Sequence, residues 1–275
     1  MKNPFTSSTN QNQTAKWIEA AARIGYAAKG VVYFLVGLLA VQAALNWGGK
    51  VTGTQGALIA VASQPFGKIV LFGIAIGLVC YVAWHLIAAV FDPENDNDGF
   101  NVASRLAHGV RACVYGSLAE GAFDIIFSEG SSGTGSSSSS EQAATVLAQP
   151  FGRVLLGGVA ICAAAYGFYC IYRSVTSKFK QKLKLCKMDE TQEQWLLNIG
   201  RFGLIAKGIV AIIISYFAGQ AARLAEPSKV KSTEEVLQTL QRQPFGAVLM
   251  GLVAFGLIAY GFHLIMQSRY RKISP

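Results

Sequence analysis

The tetrapeptide Gln-Pro-Phe-Gly occurs three times, at residues 64–67, 149–152 and 243–246, and a tyrosine follows each proline sixteen residues later: Tyr81, Tyr166 and Tyr260. Upstream, Arg23, Arg105 and Arg201 each precede a second basic residue by six positions, Lys29, Arg111 and Lys207. The distance from that arginine to the Gln is 41, 44 and 42 residues. A register held three times identifies an internal repeat, and a repeat of this length is one supersecondary unit that buries its apolar face against its neighbours. Whatever the chain folds into is built three times over.

Each unit parses alike: a basic start, an apolar helix, a short outer segment, Gln-Pro-Phe-Gly, and a second apolar helix. From Ile69 to Phe91 the only strongly polar side chain is His85, and neither 154–172 nor 247–267 contains Asp, Glu, Lys or Arg. About 20 consecutive apolar residues suffice to cross a bilayer. Only 14% of the 275 residues are charged, against about a quarter in soluble domains. We therefore expect an all-α integral membrane protein with six transmembrane helices, near 21–46, 66–91, 105–127, 151–174, 199–222 and 245–268. The repeats occupy 17–91, 101–175 and 194–268, after a disordered tail at 1–16.

The outer segments repeat as well. Thr52, Ser139 and Ser232 are followed three residues on by Gln55, Gln142 and Glu235, the spacing of a capping box. Proline then ends each short helix and suits the first turn of the next, so Gln-Pro-Phe-Gly (Gln64, Pro65, Phe66, Gly67; Gln149, Pro150, Phe151, Gly152; Gln243, Pro244, Phe245, Gly246) is read as a structural corner.

Lys and Arg number fourteen in the tails and loops on one side of the expected spans and seven on the other. The positive-inside rule places both termini in the cytoplasm, as for a multi-pass protein of a bacterial inner membrane. All three hairpins then insert with one orientation, and such repeats are related by rotation about the membrane normal. A pseudo-threefold ring is the expected arrangement. Lys178, Lys180, Lys182, Lys184 and Lys187 form a polybasic run that either lies on anionic phospholipid or serves only as a topology anchor. The net charge of +9 is thereby assigned to topology and lipid, with no zinc-finger or helix-turn-helix spacing to support nucleic-acid binding.

Three such hairpins, with Arg…Lys-Gly in the first helix (Arg23, Lys29-Gly30; Arg201, Lys207-Gly208) and Pro-Phe-Gly opening the second, resemble the bacterial domain-of-unknown-function family 1206 over residues 17–268. Repeat two departs most, with Arg111-Ala112 replacing Lys-Gly and His108 standing where Tyr26 stands in repeat one. The resemblance implies the architecture and a bacterial origin and transfers no catalytic or binding residue.

Ionisable groups inside a span are costly and default to functional candidates. Lys29, Arg111 and Lys207 form the leading set, each about 9 Å inward of its leading arginine at 1.5 Å per helical residue. Eight residues beyond each comes Gly37, Ala119 or Ser215, which favours a bundle-facing orientation. Three cations open to the cytoplasm suit a phosphate, a carboxylate or a lipid headgroup; the alternative is that they snorkel to the interface as anchors. Tyr81, Tyr166 and Tyr260, with His85 and His263, either line the same cavity or form an interfacial belt or satisfied helix-to-helix hydrogen bonds. The third span carries Glu120 and Asp124 and should be sheltered by other helices, with Glu120 either coupling protons in a small transporter or pairing with a neighbouring base. The cysteines show no Cys-x-x-Cys spacing and read as packing residues. No metal, cofactor or enzyme signature is present, so a non-enzymatic scaffold or binder of an anionic lipid or ligand is expected ahead of a transporter.

Overall fold

The computed structural model describes the backbone of residues 7–45, 47, 51–91, 101–127, 139–176 and 190–270, and among these all regular structure is helical. Every repeat is a long helix, a short helix and a long helix. These are α1 (Ser7–Ala44), α2 (Thr54–Ala62) and α3 (Gly67–Phe91); α4 (Asn101–Phe127), α5 (Ser139–Leu147) and α6 (Gly152–Val175); and α7 (Glu190–Leu224), α8 (Thr233–Gln241) and α9 (Gly246–Tyr270). Five of the described helices hold a stretch long and apolar enough to cross a membrane: Glu19–Ala44, Gly67–Val90, Gly152–Val175, Leu197–Leu224 and Gly246–Arg269. The sixth long helix, α4, has the length, with 27 residues. Arg111, Glu120 and Asp124 lower its hydropathy. α1 begins at Ser7, inside the segment expected to be disordered. Gln, Ala and Lys are good helix formers, and adding residues to an existing helix avoids the unfavourable nucleation step.

The three Gln-Pro-Phe-Gly corners are the same turn. The glycine N–H donates to the glutamine carbonyl in each, at 2.8 Å (Gly67 to Gln64), 2.9 Å (Gly152 to Gln149) and 2.8 Å (Gly246 to Gln243). The phenylalanine between them lies in the left-handed region, with φ of 62° at Phe66, 71° at Phe151 and 59° at Phe245. Proline at the second position and positive φ at the third define a type II turn. Proline therefore belongs to the turn and not, as expected, to the first turn of the next helix. The glycines are obligatory: an added Cβ would meet Val61 O at 1.9 Å, Val146 O at 2.1 Å and Gln241 O at 2.0 Å. All three phenylalanine rings are exposed, as suits aromatic anchors at a membrane interface. The capping box forms at Ser232 and Glu235. It does not form at Thr52, because α2 starts one residue late, on Gly53.

The long helices pack in series. The first helix of each repeat lies against the second long helix of the preceding one: α4 on α3, α7 on α6, and α1 on α9. Small residues bring these pairs together. A Cβ on Gly30 would lie 2.8 Å from Gly261 O, and one on Gly208 would lie 2.8 Å from Gly167 O. Within a repeat, α1 packs on α3 and α7 on α9, whereas α4 and α6 form no comparable contact.

Sequence accounts for that exception. At the crossing of α1 and α3, a Cβ on Gly25 would sit 2.6 Å from Tyr81 Cα, and one on Gly77 would sit 2.3 Å from Ala28 Cβ. Repeat three reproduces this with Gly203 against Tyr260 and Gly256 against Ala206. At the matching positions repeat two carries Ala107, Val110 and Cys162. Added side-chain volume at a contact already this tight is excluded sterically, so the second hairpin stands open. Burial reports the same thing: Val32 and Val210 are 1% and 5% exposed, and their counterpart Val114 is 57% exposed. Trp84 and His263 are each 1% exposed, and their counterpart Tyr169 is 53% exposed.

Candidate functional site

Gly25 lets α3 approach α1 until the Tyr81 hydroxyl reaches the Lys29 ammonium, which donates to it at 2.7 Å. Gly203 does the same in repeat three, where Lys207 donates to Tyr260 at 2.8 Å. Both lysines are buried, at 4% and 9% exposure. Each also faces aromatic rings. The Lys29 Nζ lies 4.6 Å from the Tyr81 ring centre and 4.2 Å from that of Tyr115. The Lys207 Nζ lies 4.3 Å from Tyr260, 5.2 Å from Tyr33 and 5.4 Å from Tyr166. Cation–π contact of this kind contributes about 0.5–2 kcal/mol per ring, more where water is excluded, and offsets part of the desolvation of a buried ammonium.

Two tyrosines join the lysine sites. Tyr33 and Tyr115 share a hydrogen bond of 3.1 Å between their hydroxyls; one ring faces Lys207 and the other Lys29. Arg111 completes the set, with Tyr166, Tyr81, Tyr26 and Tyr260 as its electrostatic neighbours. Repeat two lacks the bond made by its siblings: among the described residues neither Arg111 nor Tyr166 has a hydrogen-bond partner. Nor does a carboxylate lie within ion-pair distance of Lys207 or Arg111 there. Ion pairs such as Arg23–Glu19 (2.5 Å) and Lys229–Glu226 (3.6 Å) lie elsewhere. The result is a tyrosine-lined cluster of three cations with an excess of positive charge.

The other expected candidates divide. His85 stacks on Tyr81 with 4.2 Å between ring centres and continues to His108 at 5.0 Å, so it borders the cluster. The His263 Nε2 lies 2.9 Å from Gln267 Nε2, one turn along α9. Gly37 packs against the α9 backbone, and Ala119 and Ser215 are buried, as expected of small residues facing neighbouring helices. Glu120 and Asp124 are exposed on the face of α4 opposite its buried residues, and the expectation that they are sheltered fails. The polar stripe of α4 points outward because its apolar stripe is committed to α3. No group of three or more metal-ligating side chains occurs among the described residues. Lys178, Lys180, Lys182, Lys184 and Lys187 lie outside the described residues, as does Cys186.

Tyr33 and Tyr115 were missed from sequence, although each follows its cation by four residues and so shares its helix face. The signal was broken in repeat three, where Ala211 stands at that position.

The model of a family described as Domain of Unknown Function (DUF1206) matches the chain three times, at residues 24–92, 106–177 and 202–271. The chain belongs to this family. Each match spans one hairpin, from beside the leading arginine to the end of the second long helix. The chain is also 33% identical over 277 residues to the Uncharacterized protein YxxB of Bacillus subtilis (strain 168), covering 100% of this chain and 98% of that protein. No solved structure matches.

Proposed function

We propose that this family member is a six-span, non-enzymatic membrane protein that binds an anionic group, a phosphate or carboxylate, at Lys29, Arg111 and Lys207. The carrying observation is the convergence of three basic side chains, one from each repeat, on a shared set of tyrosines, with no carboxylate within ion-pair distance of Lys207 or Arg111 among the described residues. Excess positive charge in a water-poor site is stabilised by an anion, and a guanidinium presents paired donors suited to phosphate or carboxylate. In this reading the three hairpins are related by approximate threefold rotation about the membrane normal, and α4 spans with the others. Both termini are cytoplasmic, which puts the cations in the inner half of a bacterial plasma membrane. The run from Lys178 to Lys187 lies on anionic headgroups beside it. Proton-coupled transport through Glu120 is not proposed, since its carboxylate is exposed on the outer face of α4, away from the cluster.

Native mass spectrometry of protein extracted gently from its membrane tests the reading, beside a variant with Lys29, Arg111 and Lys207 all changed to Gln. We expect an anionic adduct on the wild type that the variant loses. Equal adducts on both would reduce the cations to helix anchors.

A further inference from the structure

Repeat two departs from its siblings in two ways that meet at one place. Its helices stand apart, leaving an open cleft between α4 and α6 bordered by Val110, Val114, Val159 and Tyr169. At the inner end of that cleft, on its two walls, are Arg111 and Tyr166, the cation and tyrosine that make no hydrogen bond among the described residues. We infer that the cleft is a lateral binding site for one anionic membrane lipid, with an acyl chain between α4 and α6 and its phosphate or carboxylate on Arg111. The inference rests on the anion-binding reading above and names its ligand class.

Continuity between the cleft and the cations selects this occupant. A soluble anion satisfies Arg111 and leaves the apolar walls unfilled. A second copy of the chain, or a helix of another protein, fills the walls and supplies no anion to the cluster. A lipid carries both parts in one molecule, in the order the cleft presents them. The walls are suitably apolar. Val110 and Val159 replace Ala28 and Ile74 of repeat one, and both are more than half exposed where their counterparts are buried. Access between the helices is sideways, because α4 and α6 lack the contact that closes repeats one and three.

The test uses the full chain in detergent, given phosphatidylglycerol or, separately, water-soluble glycerol phosphate, with bound ligand counted by native mass spectrometry. Val114→Trp with Val159→Trp fills the cleft from exposed positions; Cys162→Trp is an independent second blockade. We expect either blockade to lower phosphatidylglycerol retention at least tenfold and to change glycerol phosphate binding less than twofold. Arg111→Gln lowers both. Phosphatidylglycerol held equally by the blocked and wild-type proteins overturns the lateral site and leaves the anion-binding reading standing. No difference between wild type and the Lys29, Arg111, Lys207 triple Gln variant on either ligand overturns both. A wild-type dimer whose Cys113 and Cys162 resist maleimide until it dissociates assigns the cleft to a second copy and also overturns the lipid.

Discussion

Repeats one and three close and repeat two does not, although all three share the same corner, the same basic position and the same tyrosine. The closed repeats put glycine on the first helix and an alanine–glycine pair one turn on, at Gly25, Ala28 and Gly77 and at Gly203, Ala206 and Gly256. The open repeat puts Ala107, Val110 and Cys162 there. A few methyl-sized additions thus decide whether a hairpin is a packed pair or one wall of a cleft. Closure in turn decides whether the cation is held by its own tyrosine, as Lys29 and Lys207 are, or makes no such bond, as with Arg111. The corner is independent of this choice, because its hydrogen bond and positive φ are local to four residues.

The largest expected effect tests that independence. Gly67→Ala, Gly152→Ala and Gly246→Ala should each destabilise by about 3 kcal/mol or more, since the new Cβ meets a backbone carbonyl and overpacking alone costs about 1–3 kcal/mol. Thermal denaturation in micelles should show equal losses in all three repeats. If Gly152→Ala is mild, the corner is not independent of closure. The hairpin contact should instead split the repeats. Gly25→Leu or Gly203→Leu should cost about 3 kcal/mol, while Ala107→Leu, at an exposed position, should stay within about 0.5 kcal/mol. Equal losses for Gly25→Leu and Ala107→Leu would mean that α4 and α6 do pack in the membrane.

One step smaller is the tyrosine bond. Removing a hydroxyl bonded to a charged group costs about 1.5–3 kcal/mol. Tyr81→Phe and Tyr260→Phe should lose that much in chemical denaturation, and Tyr166→Phe less than about 0.5 kcal/mol. A Tyr166→Phe loss matching the other two would show that Arg111 is satisfied within its own repeat, removing the asymmetry on which the lipid site depends.

Much of this is legible in the sequence. Triplication fixed the hairpins, and the spacing of Arg, Lys and Gln-Pro-Phe-Gly located both the corners and the cations, because these features depend on identity and register. Three things were not readable. The bridging tyrosines Tyr33 and Tyr115 occur in two copies only, so the pattern common to all three repeats does not contain them. His263 follows Tyr260 by three residues, a spacing that does not reveal that its ring meets Gln267 one turn on. The open hairpin was the hardest. Ala107, Val110 and Cys162 are ordinary residues for a span, and their effect appears only when their partners are known to sit within 3 Å of the space they fill.

The smallest prediction concerns the outer helices, where repeats one and three themselves diverge. Ser232 caps α8, accepting from the Glu235 N–H at 3.3 Å while the Glu235 carboxylate accepts from the Ser232 N–H at 2.7 Å. In repeat one the chain starts α2 on Gly53 instead, and the Gly53 N–H donates to Glu234 of repeat three at 3.2 Å. A second carboxylate, one residue before the capping Glu235, thus ties the two outer segments together. Ser232→Ala should cost about 1 kcal/mol, and Thr52→Ala close to nothing, since its buried hydroxyl finds no partner among the described residues. Glu234→Gln should fall between them, because the amide oxygen still accepts from Gly53 but without charge assistance. Hydrogen exchange at Gly53 would isolate the link from the Glu235 cap: faster exchange in Glu234→Gln with α8 still protected places the loss between repeats and not in the helix cap.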